Sequence, residues 1–358
     1  MKIIDGPVAL AQHGANPRAN WNVSASSKVR SANPEDAANR VWDGLADIEG
    51  GYDGPRLAAG DGVFAMGSCF AREIERHLRQ RGANVLSVGE EVRSPQFLND
   101  AGRYREGFFN RYNPVALWQE LAWCFDALEG WVDDTLILPD GKSAVSDLNY
   151  WSFDGADRSL DATLARRRIA RTNVRRAADA RLVVLTLGMT EAWFHKPSGF
   201  YVNRLTSKLL ARRPEEFEFR IVGYDETLDA LERTWALLRT VSRGPDPRLV
   251  VTVSPAPLGA TFCEEDVVVA NAASKATLRA AAAAFVDGRP GVSYFPSYEL
   301  VTHSKPRRVW REDRIHIQPA VVEHVVERFV AAYFAPGAFA APAAAKGTAP
   351  QALPSGAF

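Results

Sequence analysis

Two short apolar runs near the middle of the chain decide its fold: Leu-Val-Val-Leu-Thr-Leu at residues 182–187 and Leu-Val-Val-Thr-Val at residues 249–253. Both runs are rich in branched apolar residues and neither has a polar face, which is typical of strands buried on both sides in a parallel sheet. Working outward from these runs, the sequence predicts five strands, at residues 63–66, 84–88, 181–187, 248–253 and 292–295.

Helical spacing separates the predicted strands. Phe70, Ile74 and Leu78 lie on one face of a helix that follows the first strand, and Pro319 stands where the last helix would begin. The alternation predicts an α/β fold, a three-layer α/β/α sandwich around a central parallel sheet of about five strands, with right-handed crossovers. Ligands bind at the carboxyl ends of the strands in such sheets, so the chemistry is expected there.

The composition argues against several classes of function. The 358 residues include 43 Lys and Arg and 43 Asp and Glu, and the formal net charge of zero argues against nucleic-acid or membrane-surface binding. The chain has no apolar run of membrane-spanning length and no signal-peptide-like run at its N terminus. Cys69, Cys124 and Cys263 are far apart, which predicts neither a disulfide framework nor a metal site. A reducing, cytoplasmic location is therefore expected.

The composition also divides the chain into three parts. Residues 1–58 are rich in Asn, Ser, Pro, Gly and Asp, and they predict an N-terminal extension that wraps the domain. Residues 59–334 hold the strand and helix patterns of one domain. Residues 335–358 are mostly Ala, Pro, Gly and Ser, which cannot bury enough apolar surface to offset their ordering entropy, so a disordered tail is expected.

The first candidate site is Gly67-Ser68-Cys69, where the first predicted strand runs into a helix. Glycine permits a sharp turn, and the exposed amides of a helix N terminus favour negative charge. A thiol in this place is expected to have a lowered pKa and to attack as a thiolate, whereas a serine would need a neighbouring base. The alternative is a packing cysteine beside a helix-capping serine.

The second candidate site is Asp313-x-x-His316, which precedes the last predicted helix. An aspartate three residues before a histidine can fold back to accept the Nδ1 proton of the imidazole. That arrangement leaves Nε2 free to act as a general base.

The chain resembles the GSCFA family, which is related to the SGNH/GDSL hydrolases, because residues 67–71 read Gly-Ser-Cys-Phe-Ala. Further motifs extend the resemblance over roughly residues 60–332: Tyr112-Asn113-Pro114, Thr186-Leu187-Gly188, Glu191-Ala192-Trp193, Val253-Ser254-Pro255, Asn271-x-x-Ser274-Lys275, the run from Tyr294 to Glu299, and Asp313-x-x-His316. The resemblance implies an SGNH-like, flavodoxin-like catalytic domain at residues 59–334 and an acyl-ester type of chemistry, without specifying a substrate.

Carrying the family's catalytic residues over places the nucleophile on Cys69. SGNH enzymes have Gly-Asp-Ser at the end of the first strand, with serine as the nucleophile, and a gap-free match lays that serine on Cys69 and the aspartate on Ser68. The serine chemistry of the related hydrolases keeps Ser68 as the second candidate. The match to Asp313 and His316 is intact.

The oxyanion-binding groups depart from the related pattern. The usual Gly-x-Asn-Asp block resembles residues 188–191, but Thr190 stands where the asparagine is expected. Asn113 is a candidate replacement donor, and the backbone amide of Gly89 is another. The predicted substrate- and oxyanion-binding residues are therefore Gly67, Gly89, Asn113, Gly188 and Thr190.

Together these features predict an esterase or O-acyltransferase for a small-molecule or carbohydrate acyl ester. Cys69 or Ser68 attacks the acyl carbonyl, His316 moves the proton and Asp313 orients His316. No cofactor or metal is expected. A transferase would need an acyl donor such as coenzyme A, whose phosphates could use the arginine-rich run at residues 166–176, although a solvated helix face is expected there. The competing prediction is a non-catalytic small-molecule or glycan-binding protein on a degenerate SGNH fold, which Thr190 favours.

Overall fold

The computed structural model describes residues 3–22, 29–52, 54–89, 97, 106–141, 143–150 and 159–339. Its helices are α1 Gly6–Ala15, α2 Ala37–Arg40, α3 Cys69–Gln80, α4 Pro114–Cys124, α5 Leu160–Arg175, α6 Ser207–Arg212, α7 Tyr224–Val241, α8 Val267–Val286, α9 Ser297–Thr302, α10 Pro306–Val309 and α11 Pro319–Tyr333. Its strands are β1 Val63–Gly67, β2 Ile137–Pro139, β3 Val145–Asp147, β4 Leu182–Leu187, β5 Glu191–His195, β6 Phe200–Val202, β7 Phe217–Ile221, β8 Arg248–Val253 and β9 Val292–Tyr294.

The central sheet has the strand order β1-β4-β8-β9, and every neighbouring pair is parallel. All residues of β1, β4 and β8 are buried, as their apolar runs predict. Alternate side chains enter different cores. Val183 and Leu185 pack on one face with α4, α5, α7 and α8, whereas Leu182 and Val184 pack on the other with α3, α9 and α11. The predicted three-layer α/β/α sandwich is confirmed.

The second predicted strand, at residues 84–88, forms only a single bridge. Val85 pairs in parallel with Val63 at the outer edge of β1. The next donor of β1, Ala65 N, bonds to the hydroxyl of Ser87 at 3.2 Å instead of to a backbone carbonyl. A side-chain acceptor ends the ladder at this point, so the sheet has four strands within the described residues instead of about five.

A small antiparallel sheet, which the sequence analysis did not predict, borders the carboxyl edge of the central sheet. It has the order β6-β5-β7, and three residues separate the end of β4 from the start of β5. Trp193 of β5 packs edge-on against Phe219 of β7 and against Phe262, with ring centroids 5.3 and 4.9 Å away. This sheet therefore places aromatic surface next to the edge where chemistry is expected. A second small sheet pairs β2 with β3.

The N-terminal residues bond to the C-terminal part of the chain. Ala46 N donates to Ser304 Oγ at 2.7 Å, and Leu57 N donates to the carbonyl of Tyr333 at 2.8 Å. Such bonds are what a wrapping extension would make, although α1 buries none of its residues. Most of the predicted disordered tail, at residues 340–358, lies outside the described residues.

The close approach of β1 to β4 requires a glycine at residue 67. Gly67 has a φ of +128°, and a Cβ added to it would lie 2.2 Å from Thr186 O. We therefore expect Gly67→Ala to lower the free energy of unfolding by roughly 3–5 kcal/mol, because the strands must move apart and the backbone keeps a disfavoured φ. Urea unfolding followed by circular dichroism measures the change.

Gly141→Ala is the matched control for this prediction. Gly141 has a φ of +125°, but no atom lies within 4 Å of the added Cβ. This variant should lose only the backbone contribution, about 1–2 kcal/mol. Equal losses in the two variants would show that the contact with Thr186 does not constrain residue 67.

Candidate functional site

Ser68 and Cys69 lie where β1 ends and α3 begins, at the carboxyl edge of the sheet. Ser68 is 2% exposed, and its hydroxyl accepts from Phe70 N at 3.3 Å and lies 3.0 Å from Thr186 Oγ1. Cys69 is the first residue of α3 and is half-buried. The Ser68 hydroxyl thus caps the helix and bonds to β4, which favours the Cys69 thiol as the group that meets a substrate.

The Cys69 thiol is not the ready thiolate that a helix N terminus predicts. Burial raises its pKa to about 11, and the negative charge of Glu73, one turn along α3, adds to this effect. Lys275 and two backbone amides lower the pKa, but they do not offset burial. The predicted lowered pKa is therefore wrong, and attack by this thiol needs a base.

A buried lysine, to which the sequence analysis gave no role, interacts electrostatically with this thiol. Lys275 in α8 is 2% exposed, and its Nζ donates to the Gly188 carbonyl at 2.6 Å. Burial lowers the Lys275 pKa to about 7, and the charge of Cys69 partly opposes that shift. The helix contained a signal for this, because Lys275 shares a buried face with Leu278 and Phe285. A lysine within an apolar stripe indicates a buried amine.

The loop after β4 packs against the turn that holds Ser68. The amides of Gly188 and Met189 both donate to the carbonyl of Tyr112, at 3.0 and 2.9 Å. A Cβ on Gly188 would lie 2.7 Å from Tyr112 O and 3.3 Å from Ser68 Cβ, so a larger residue would push these segments apart. This packing brings together four of the predicted site residues, namely Gly67, Ser68, Cys69 and Gly188.

The backbone amides of two other predicted oxyanion-binding residues already have hydrogen-bond partners. The Thr190 amide donates to Ser274 Oγ at 2.9 Å, and the Gly89 amide donates to a side-chain oxygen of α5, Asn173 Oδ1, at 3.0 Å. Asn113 caps α4, with its Oδ1 accepting from a first-turn amide at 2.8 Å. The two backbone amides are committed to the fold, which argues against them as oxyanion donors. The Asn113 NH2 group and the Thr190 hydroxyl stay predictions.

Tyr112 and Asn110 also reach this edge, although neither was a predicted site residue. Asn110 makes a parallel bridge with Gly67, and its Nδ2 donates to the Tyr112 hydroxyl at 3.1 Å. Burial raises the pKa of Tyr112, and the charge of Cys69 raises it further. The phenol therefore keeps its proton and can donate it. The Tyr112-Asn113-Pro114 motif contained the available signal, although only its asparagine was predicted to belong to the site.

Asp313 and His316 form the expected pair in the loop before α11. The His316 Nδ1 lies 2.5 Å from Asp313 Oδ2, and Asp313 Oδ1 accepts from the amides of Ile315 and His316 at 2.9 Å each. Partial burial opposes ionisation of the carboxyl, but these bonds outweigh it and lower the Asp313 pKa to about 2. Asp313 is thus a carboxylate that orients the ring and engages Nδ1. The His316 side chain is 37% exposed, which leaves Nε2 accessible to a substrate.

The contacts of α11 bear on where this pair lies relative to the Ser68–Cys69 turn. The end of α11 bonds to the amino side of the sheet, since Tyr333 OH lies 3.0 Å from Ser293 Oγ in β9 and the Tyr333 carbonyl accepts from Leu57. In its second turn, Glu323 lies 2.6 Å from the ring of His77 and also pairs with Arg81, both at the end of α3 that is remote from Cys69. Within the described residues no hydrogen bond or ion pair joins Asp313 or His316 to Ser68 or Cys69, so a contact between the two halves of the candidate site stays a prediction.

The GSCFA family model matches residues 62–329. The chain belongs to the GSCFA family. The matched span is most of the chain and contains the turn at Ser68 and Cys69, Lys275, and the Asp313–His316 pair. None of the curated proteins compared with this family member is significantly similar to it in sequence. Its function must therefore be argued from the chemistry of the site.

Other features of this GSCFA family member bear on the remaining predictions. Arg167 is 1% exposed and bonds to both carboxylate oxygens of Asp147, at 2.8 and 2.7 Å, and Arg171 and Arg175 both pair with Asp126. These three arginines are therefore engaged within the fold, and the use of the run at residues 166–176 by an acyl-coenzyme A donor stays a prediction. The described ranges hold no group of three or more His, Cys, Asp or Glu side chains suited to a metal, and no helix in them could cross a membrane.

Proposed function

We propose that this GSCFA family member is an acyl-ester enzyme, an esterase or an O-acyltransferase, with Cys69 as its nucleophile. The observation that supports it most is the Asp313–His316 pair, because a carboxylate 2.5 Å from Nδ1 is the arrangement that prepares Nε2 for proton transfer. The half-buried thiol of Cys69, at the start of α3, supplies the group to be acylated.

The proposed reaction passes through a thioester on Cys69. The sulfur attacks the acyl carbonyl, and the oxyanion that develops accepts hydrogen bonds from the amide of Cys69, whose place in the first turn leaves it without an intrahelical acceptor. The protonated Tyr112 hydroxyl is a second donor of suitable chemistry. Collapse of this tetrahedral intermediate releases the alcohol and leaves the thioester. His316 then deprotonates water or an acceptor hydroxyl, which cleaves the thioester.

A carbohydrate acyl ester is the substrate class that we favour. Trp193 and Phe219 of the small sheet that follows Thr190 form an aromatic group with Phe262, which lies between β8 and α8 and is 51% exposed. Exposed aromatic faces stack on sugar rings through their apolar faces and also accommodate apolar acyl chains. The low number of cysteines fits a reducing compartment, and we keep a cytoplasmic location as part of the proposal.

The second candidate function is a binding protein that keeps the fold without the chemistry. Two observations favour it: the backbone amides of Thr190 and Gly89 are committed to internal bonds, and the thiol pKa of Cys69 is raised. Such a protein would bind a glycan or small molecule at the same edge without forming a covalent adduct.

The enzyme and the binding protein can be distinguished by a screen of short-chain acyl thioesters and of acyl esters formed from simple alcohols or from sugars. We expect turnover of at least one class, with an acyl group on the Cys69 peptide by mass spectrometry after rapid acid quenching. Acyl transfer to an added sugar would identify a transferase, and release of free acid alone would identify an esterase. Binding of an ester without turnover or adduct would support the second candidate and overturn the first.

A further inference from the structure

Lys275 stands out because it is a charged residue in the core with an unusual set of neighbours. Its side chain is 2% exposed, and burying an ammonium group is costly unless an opposite charge compensates it. Within the part of the chain that the structure describes, the charge that raises its pKa is that of Cys69. Its one side-chain hydrogen bond within the described residues goes to a neutral carbonyl, that of Gly188, at 2.6 Å.

The contacts of Gly188 link this amine to the nucleophile turn. The Gly188 carbonyl holds Nζ of Lys275, and the Cα of Gly188 faces Ser68 so closely that an added Cβ would lie 3.3 Å from Ser68 Cβ. Cys69 is the next residue in the chain, and it interacts electrostatically with Lys275. The amine is therefore held against the loop that packs on the nucleophile turn, from the buried face of α8.

We propose that Lys275 accepts the proton of the Cys69 thiol during acylation, while His316 serves the acceptor that later cleaves the thioester. The inference rests on the proposed function and divides its proton transfers between two bases. Their surroundings differ in the way that this division requires. Lys275 is 2% exposed and is bonded to the loop that packs on the nucleophile turn, whereas the His316 side chain is 37% exposed and can meet water or an incoming hydroxyl.

The protonation states agree with these roles. Burial lowers the Lys275 pKa to about 7, so above that pH the amine is neutral and can accept a proton. The Cys69 pKa of about 11 means that the thiol does not ionise unaided at neutral pH. The titratable groups that interact electrostatically with this thiol are Glu73 on α3, the Tyr112 phenol and Lys275. Neutral Lys275 is the base best suited to removing the proton, because a carboxylate is ordinarily a weaker base than an amine and the phenol is itself protonated.

Each proton that a base removes during one turnover is returned to a leaving group. The Cys69 sulfur forms a bond to the acyl carbon as its proton moves to Lys275 Nζ, and the C–O bond to the leaving alcohol then breaks as the Lys275 ammonium returns that proton to the alkoxide. In the second half, the acceptor hydroxyl gives its proton to His316 Nε2 and attacks the thioester carbonyl. The C–S bond breaks, and the His316 imidazolium protonates the departing thiolate.

Rapid-quench acylation of Lys275→Met and Lys275→Gln tests the inference. Gln keeps a donor for the Gly188 carbonyl but cannot take a proton. We expect both variants to form the Cys69 adduct at least about 100-fold more slowly than the natural protein, and to lose the increase in acylation rate as pH rises through about 7. His316→Asn should instead form the adduct at a normal rate and fail to release it. Acylation of either Lys275 variant at the natural rate with an unchanged pH profile would overturn the inference.

Alkylation of Cys69 by iodoacetamide provides a readout that needs no substrate. Removing this base in Lys275→Met should slow alkylation at pH 8 by about tenfold, whereas Glu73→Gln, which removes a negative charge near the thiol, should accelerate it. Opposite shifts in folded variants with unchanged circular dichroism would support the coupling of Lys275 to Cys69. Equal alkylation rates would overturn it. If the natural protein is alkylated as expected but never acylated, the proposed function fails while the coupling stands.

Discussion

Cys69→Ala is expected to abolish turnover of the best ester found in the screen, with a loss of at least about 10⁴-fold in kcat. The reason is that no other group can form the thioester through which the proposed reaction passes. Ser68→Ala should keep appreciable activity, because the Ser68 hydroxyl is engaged with Phe70 N and Thr186. Its loss should instead lower the free energy of unfolding by about 0.5–2 kcal/mol, the range for a helix cap. Steady-state kinetics and urea unfolding measure the two effects.

Cys263→Ala is the matched control for the loss of a half-buried thiol. Cys263 lies near the carboxylate of Glu191, with the sulfur 4.0 Å from its oxygen, and has no place in the proposed reaction. This variant should turn over at the natural rate and carry the acyl adduct on the peptide that contains Cys69. Full activity of Cys69→Ala, together with an adduct mapped to Ser68, would show that ordinary serine chemistry operates here.

His316→Ala is expected to lower kcat by about 10³-fold or more while leaving thermal stability nearly unchanged. The ring is 37% exposed, so its removal leaves no sealed cavity, and its lost partner, Asp313, can be solvated. Under the division of roles inferred above, the variant should still be acylated and should accumulate the thioester. Stopped-flow bursts, intact-protein mass spectrometry and thermal melts measure these three properties.

His13→Ala is the control for removing a histidine, because His13 lies in α1, which buries none of its residues. It should change neither the burst nor the turnover. A melting temperature that falls in His316→Ala without a selective kinetic defect would make His316 a structural residue. That result would favour the binding protein over the enzyme.

Local patterns predicted the central layer well. Strands β1, β4, β8 and β9 were predicted from runs without a polar face, and the helices around them from apolar spacing. The exception at residues 84–88 has a local composition like that of a strand, but its pairing depends on which groups accept the hydrogen bonds of β1. The hydroxyl of Ser87 takes the bond of Ala65, and no periodicity in the sequence reports this. The small sheet of β5, β6 and β7 was missed because its strands are short and half-exposed.

The candidate site likewise contains one contact that spacing predicts and others that depend on packing. The contact between Asp313 and His316 spans three residues, and such a turn can be predicted from spacing alone. The electrostatic interaction of Lys275 with Cys69 links α8 to the start of α3. The hydrogen bond of the Gly89 amide likewise depends on a side chain of α5. These contacts follow from packing between distant segments, for which one sequence carries no direct signal.

By itself, the sequence determined the parallel sheet, the family, the Gly67-Ser68-Cys69 turn at a strand end and the Asp313–His316 pair. Only the tertiary structure decided the protonation state of the nucleophile. A helix N terminus favours a thiolate over a distance of one turn, and that effect can be predicted from the sequence. Desolvation disfavours the thiolate, and it depends on every segment that covers Cys69, so the direction of its pKa shift could be known only once the chain was folded.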